Sequence, residues 1–324
     1  MDLFPLGIDI SKAKFDVALV RDDGKLRHKV FPNTSAGFQQ LSAWLVKHRA
    51  GAIHACLEAT GTYGEALAVY LHKAGHLVSV VNPAIIKAFA ATEMSRTKTD
   101  KADASLIARY CHKHQPPAWT PPPPEISELQ ALVRRLEALL EMLQQERNRL
   151  SAGIESTSVK ASVEQHIAYL DEQIAHTQAL IRDHIEGHPP LKQQRDLLRS
   201  IPGIGETTAA KFLAEIVDIN HYQSARQVAA FAGLVPKHRE SGASVRGRPK
   251  LCKVGTARLR KALYFPAIVA TQHNPIIKAL SARLRERGKC PMIIIGAAMR
   301  KLIHLAYGVL KSGKPFDPHH VKTA

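Results

Sequence analysis

The sequence predicts an α/β domain followed by all-α segments: a mixed sheet flanked by helices, then a helical hairpin or coiled coil, then a mainly helical carboxy-terminal domain. Three observations predict it. Short apolar runs separated by turn residues crowd the first hundred positions, proline-rich breaks fall at 116–124 and 187–190, and leucines recur at spacings of three and four after the first break. The expected domains are therefore 1–120, 125–186 and 190–324.

In the first domain, strands are expected over about 6–10, 15–20, 26–32, 53–58 and 77–81, and helices over 35–48, 63–74 and 84–91. The early strands are joined by short turns such as Asp22-Asp23-Gly24-Lys25, after which helix and strand alternate. That order matches the ribonuclease H architecture. By analogy with that fold, the first and fourth strands are neighbours, which would set Asp9 beside Glu58.

Acidic residues stand out against this apolar background. Lys98-Thr99-Asp100-Lys101-Ala102-Asp103 opens a further helix, and its two carboxylates, three apart, share one face. Alone, they read as first-turn acids favoured by the helix dipole. Asp9 in Leu6-Gly7-Ile8-Asp9-Ile10 and Glu58 in Ile53-His54-Ala55-Cys56-Leu57-Glu58 each end an otherwise apolar run. An acid in such a place costs free energy unless something polar or charged receives it. Four converging carboxylates repel and raise one another's pKa, so a stable ionised cluster implies bound cations. Oxygen-only donors suit Mg2+ or Mn2+ rather than zinc.

The whole chain bounds the partners. Among 324 residues, 45 Lys and Arg against 28 Asp and Glu leave a net charge of +17, which favours a polyanion, nucleic acid first. No uninterrupted apolar run of transmembrane length and no amino-terminal signal pattern is read, so a soluble, cytoplasmic protein without a membrane partner is expected. Cys56, Cys111, Cys252 and Cys290 form no Cys-x-x-Cys pair and suggest neither a zinc site nor a disulfide framework. The 17 histidines form no metal-binding spacing.

Pro121 to Pro124 exclude helix interior or central strand and mark a boundary. Beyond it Leu129, Leu132, Leu136, Leu139, Leu143 and Leu150, then Val163, Ile167, Leu170, Ile174 and Ile181, describe two amphipathic helices. They make an internal hairpin or a coiled coil that recruits a second protomer. Ser200-Ile201-Pro202-Gly203-Ile204-Gly205, leading into Glu206-Thr207-Thr208-Ala209-Ala210, resembles a helix-hairpin-helix. In that module, glycines such as Gly203 and Gly205 let backbone amides approach a phosphate; the alternative is a tight turn without a ligand.

Between 235 and 261 stand nine cations against Glu240 alone: Lys237, Arg239, Arg246, Arg248, Lys250, Lys253, Arg258, Arg260 and Lys261. With Gly242, Gly247 and Gly255 interleaved, the window reads as a flexible loop able to wrap a phosphate backbone. Ser241 and Ser244 lie within it, and a serine in such a loop is ordinarily a turn residue. Residues 262–284 and 291–311 read as apolar helices.

Taken together, Gly-Ile-Asp at 7–9, Glu-Ala-Thr-Gly-Thr-Tyr at 58–63, Lys-Thr-Asp-x-x-Asp at 98–103, Ser-Ile-Pro-Gly-Ile-Gly at 200–205 and Phe-Ala-Gly-Leu-x-Pro through Glu-Ser-Gly-x-Ser-x-Arg-Gly at 231–247 resemble one family in the same order. It is that of bacterial insertion-sequence transposases with a RuvC-like amino-terminal domain and a serine-bearing transposase domain, described as bridge-RNA-guided recombinases. The resemblance implies a metal-binding tetrad at Asp9, Glu58, Asp100 and Asp103, holding Mg2+ or Mn2+, two ions per active site. It also implies a nucleophile at Ser241, picking it over Ser244. Implied partners are target and donor DNA, a noncoding bridge RNA that pairs with both, and further copies of the chain as dimers and tetramers. Each active site would combine one protomer's tetrad with another's serine. Two other readings remain open on the residues: a metal-dependent junction resolvase using water, and a non-catalytic nucleic-acid-binding protein whose acids are structural.

Overall fold

The computed structural model describes residues 3–59, 61–94, 99–241 and 245–319, and the side chains of all of these except 238–249. Two compact units, Met1–Pro121 and Pro122–Ala324, divide the chain.

Unit 1 is built on five strands, β1 (Phe4–Ile10), β2 (Lys14–Val20), β3 (Leu26–Pro32), β4 (Ile53–Glu58) and β5 (Leu77–Val81), in the spatial order β3-β2-β1-β4-β5. The first three form an antiparallel meander, and β4 and β5 join in parallel through helical crossovers. Four helices accompany the sheet: α1 (Ser35–Lys47), α2 (Glu65–Lys73), α3 (Pro83–Thr92) and α4 (Asp100–His114). Alternation along each strand sorts the sheet's two faces. Leu6, Ile8, Phe15, Val17, Leu19, Ile53, Ala55 and Leu57 bury themselves against Phe38, Leu41, Leu45 of α1 and Leu67, Ala68, Leu71 of α2. The opposite face is lined by much smaller groups. Cys56 packs with Ile107 and Cys111, and Ala18 with Ala104 and Ala108, bringing α4 close to the sheet.

Unit 2 is helical apart from one ribbon. The leucine-rich helices are α5 (Pro124–Ser151) and α6 (Thr157–Glu186), an antiparallel pair broken at the expected place. After them come α7 (Pro189–Arg199), α8 (Glu206–Glu215), α9 (Ala225–Phe231), β6 (Pro236–Ser241), β7 (Val245–Leu251), α10 (Ala257–Ala262), α11 (Tyr264–His273), α12 (Pro275–Glu286) and α13 (Pro291–Ser312). Leu129, Leu136, Leu139 and Leu170 of the hairpin share a single apolar core with Phe212, Leu259, Ile277 and Leu302. Gln130 Nε2 donates to the Ala214 carbonyl at 2.9 Å, and Lys211 pairs with Glu137 at 3.5 Å, so α5 is tied to α8. By length and composition α13 alone among the described helices is apolar enough to cross a membrane. Here its Ala298, Leu302, Ile303 and Ala306 are fully buried in the unit's own core.

Two expectations about unit 2 need correction. The basic glycine-interleaved window is no loop: β6 and β7 pair antiparallel, Lys237 opposite Lys250 and Ser241 opposite Val245, with a register shift between Lys237 and Arg239. The stretch 262–284 is not one helix either. It breaks at Asn274, whose buried side chain caps α12 by accepting from the Ile277 amide at 3.2 Å, while Pro275 opens the new helix.

Candidate active site

The site begins with a glycine. Gly7 of β1 faces α4 so closely that a Cβ there would lie 2.2 Å from both the Ala104 carbonyl oxygen and the Ala108 amide nitrogen. Two residues on, on the same face of the strand, comes Asp9. Ala18 and Cys56 repeat the arrangement on the neighbouring strands. Each is a small residue against α4, and each shares its face with an acid two positions away, Asp16 and Glu58. Asp9 stands opposite Asp16 in the β1–β2 ladder. The β1–β4 ladder pairs Ile8 with Leu57, so its next step sets Asp9 beside Glu58.

The helix supplies the other side. Thr99 caps α4 by accepting from the Ala102 amide at 3.2 Å, which places Asp100 and Asp103 in the first turn. With β1 and β4 ending where α4 begins, the four expected acids Asp9, Glu58, Asp100 and Asp103 are brought to one edge of the helix-sheet contact. Their mutual field is felt at Asp9. Burial first, then Asp103, Asp100, Asp16 and Glu58 in that order, push its carboxyl up to about 6. Such a group binds its proton more tightly in the folded protein than in the unfolded chain. It therefore stabilises the fold below about pH 4 and loses that contribution as pH rises through about 6. Without divalent ions, wild-type protein should lose on the order of 1 kcal/mol relative to Asp9→Asn between pH 5 and 7, a figure discounted for the half-open site. Paired melting curves in chelator at the two pH values measure it.

Asp16 and Lys14 were not singled out by sequence. Asp16 is only 8% exposed, and Lys14 Nζ donates to it at 3.3 Å and to Asp100 at 2.8 Å. The Lys14 bond holds the Asp100 carboxyl below its usual range. Alternation within Lys14-Phe15-Asp16-Val17-Ala18 was a signal for the shared face, but it did not say that the face is covered.

By type the donor set suits a hard divalent ion, every group being a carboxylate oxygen, and the acids act on Asp9 through their charge; as placed, no three of the described acids bring their oxygens within 4.8 Å of one another. A softer group of potential donors, His54, Cys56 and Cys111, lies buried between β4 and α4 within 4.8 Å of one another. Its members are engaged with protein partners. His54 Nε2 bonds Ser79 Oγ at 2.8 Å, and Cys111 donates to the His54 carbonyl at 3.3 Å. Hydrogen bonding to Cys56 and burial hold the Cys111 thiol far above its ordinary value.

The remaining site residues belong to unit 2. Gly203 takes φ +106°, and its Cβ would lie 2.8 Å from Ala270 Cβ, so glycine is required by packing against α11. Gly205 has open space around it and directly precedes α8. Lys237 and Lys250 are exposed, and Lys253 follows the ribbon with φ +57°. Ser241 is the last residue of β6; its side chain and those of Arg239, Arg246 and Arg248, like Ser244 altogether, lie outside the described residues.

Comparison with known proteins identifies the class. Residues 6–158 match a transposase family model named for a DEDD carboxylate set and IS110, and residues 195–282 match the transposase IS116/IS110/IS902 family. The chain is 36% identical over 315 residues to a pilin gene-inverting protein of Moraxella bovis, covering 96% of this chain and 97% of that one. It is 25% identical to a putative transposase of Sinorhizobium fredii, with 95% and 89% covered, and 25% identical to the transposase of insertion element IS1328 of Yersinia enterocolitica, with 78% and 82% covered. These are DNA-recombining enzymes. The chain belongs to the IS110 family of insertion-sequence transposases, as the resemblance in its motifs implied, and DNA is its substrate class. The family's DEDD designation hints at metal use without selecting the ion.

Proposed function

We propose that this transposase cuts and rejoins DNA through a serine ester, using Asp9, Glu58, Asp100 and Asp103 as a divalent-metal tetrad on a RuvC-like, ribonuclease H-type domain. The observation that carries it is the gathering of those four acids, far apart in sequence, at one edge of the α4–sheet contact, where burial first and the other acids second raise Asp9 to about 6. Bound Mg2+ or Mn2+, two per site, would supply charge stabilisation at the scissile phosphate. The chain's own part is to orient the phosphate and deliver a nucleophile. The Ser241 hydroxyl attacks phosphorus, its proton passes to solvent or a nearby carboxylate, and one P–O bond forms as the bond to the departing DNA hydroxyl breaks. Because the phosphodiester energy is kept in the ester, a second DNA hydroxyl reverses the step on a new strand without an external energy source.

Support for the rest is of three kinds. The charge of +17 and the exposed Lys237, Lys250 and Lys253 suit phosphate backbones, with Arg239, Arg246 and Arg248 joining them along the ribbon. Gly205 at the start of α8 is the stronger half of a helix-hairpin-helix phosphate contact. Gly203 shapes the turn. Pairing of target and donor with a bridge RNA, and assembly as dimer and tetramer in part through α5 and α6, rest on the family resemblance. Inversion of a DNA segment, as the name of the Moraxella relative states, is the same strand exchange with both sites on one molecule.

The metal tetrad is tested with Asp9→Asn and Asp103→Asn. Each should remove the thermal stabilisation given by Mn2+ and reduce recombination between the element's own ends at least a hundredfold. Recombination that survives both replacements would return the acids to a structural role.

A further inference from the structure

Lys14 precedes the strand expected over 15–20 and opens β2 instead, and its ammonium is held in place by the fold. The β1–β2 turn fixes its backbone: Ser11 N and Oγ both donate to the Lys14 carbonyl, at 2.9 and 2.8 Å, and the Lys14 amide returns a bond to Ser11 Oγ at 3.4 Å. Asn33 Nδ2 ties the turn down, donating to the Ser11 carbonyl at 3.0 Å and the Tyr63 carbonyl at 3.1 Å. The two carboxylates that take the ammonium differ. The Asp16 side chain is 11% exposed and the Asp100 side chain 58%, with Lys14 itself at 47%. One partner is thus a buried anchor and the other is an open member of the tetrad.

We propose that Lys14 is a tethered counter-ion and substrate-positioning residue: it holds Asp100 while the tetrad is empty, yields it to a divalent ion, and, still anchored by Asp16, then binds a phosphate oxygen of the DNA. The inference rests on the tetrad reading above and adds to it a fifth carboxylate and a cation that neither motif nor spacing shows. Charge makes the exchange necessary. Five acids meet on this edge, and Lys14 bonds two of them, Asp16 at 3.3 Å and Asp100 at 2.8 Å. Were Asp100 to hold a divalent ion, the Lys14 ammonium at that distance would be repelled from it. Asp16, not being in the tetrad, has no reason to release it. The freed ammonium then stands at the mouth of the cluster, where an anionic phosphodiester arrives, and charge-assisted N–H to phosphate bonds are among the stronger ones available.

Mn2+ titration calorimetry at pH 7 on the full-length chain, with Asp9→Asn, Lys14→Met and Lys14→Arg alongside, tests the exchange. Removing a competing unit charge should tighten Mn2+ binding by Lys14→Met about tenfold, while Lys14→Arg should bind like wild type. In chelator, Lys14→Met should melt below wild type, since the acids have lost their counter-ion. Recombination between the element's ends at saturating Mn2+ should fall at least tenfold in Lys14→Met despite the tighter metal, and Lys14→Arg should restore most of it. Unchanged or weaker Mn2+ binding by Lys14→Met, with Asp9→Asn abolishing it, overturns the counter-ion role alone. Undiminished recombination by Lys14→Met overturns the phosphate role. A wild-type chain that binds no Mn2+ at millimolar concentration overturns the tetrad reading and this inference with it.

Discussion

Ser241→Ala should eliminate covalent protein–DNA product, a loss of about a thousandfold or more, because the proposed ester forms on the hydroxyl that is removed. DNA binding should stay within about twofold, since an alanine at the end of β6 leaves the Lys237–Lys250 pairing of the ribbon in place. The measurement is denaturing electrophoresis of labelled DNA carrying the element's ends after incubation with protein, the proposed noncoding RNA of the element and Mn2+. Ser244→Ala is the control and should retain the adduct. A hydroxyl at 241 is an ordinary, weakly nucleophilic one, so the reaction also needs the acids, and Asp9→Asn should be equally blank in this assay. The pattern separates mechanisms. DNA cleaved by Ser241→Ala but not by Asp9→Asn would mean that water attacks, as in a resolvase. An adduct lost only in Ser244→Ala would move the nucleophile three residues along.

The second large effect falls on a residue with no chemistry. Gly7→Ala places a methyl group 2.2 Å from the backbone of α4 at Ala104 and Ala108, and neither contact is with a flexible side-chain end. Either α4 retreats from β1 or the strand bends. The cost expected is about 3 kcal/mol or more, at the upper end of overpacking, and recombination should vanish even where the protein still folds, because Asp100 and Asp103 move with the helix. Gly51→Ala, with open space around an unstrained glycine, should change stability by less than about 0.5 kcal/mol. Urea unfolding of the three proteins, with Mn2+ binding as the second readout, decides it. A Gly7→Ala protein of wild-type stability and metal affinity would show that the helix-sheet contact is looser than its geometry.

Much of this was legible in the sequence, and the limits have physical causes. Strands β1, β2, β4 and β5 follow apolar runs closely, since burial on two faces leaves a strong signal in short segments, while the mostly exposed β3 was legible from the Asp22-Asp23-Gly24-Lys25 turn before it. Asp9 and Glu58 drew notice because they interrupt such runs. Asp16 did not, because an acid alternating with Phe15 and Val17 is what a half-exposed hairpin strand looks like; only the folding of α4 over Ala18 turns that face inward. The β6–β7 ribbon escaped for the opposite reason. β6 is polar after Pro236, and in β7 the alternation of Val245, Gly247, Pro249 and Leu251 with Arg246, Arg248 and Lys250 is masked because Gly247 and Pro249 are residues that strands disfavour. The break at Asn274 had a readable signal in Asn-Pro, and the apolar residues on either side obscured it.

The small residues that seat α4 have a consequence for how the enzyme comes into being. Gly7, Ala18, Cys56, Ala104 and Ala108 are buried in the same contact that gathers the acids, so no opening of the molecule can release the carboxylates while sparing that part of the interior. The cluster is acquired in the cooperative step that forms unit 1 and is given up only with it. A nascent or partly denatured chain therefore carries no half-built acidic cluster.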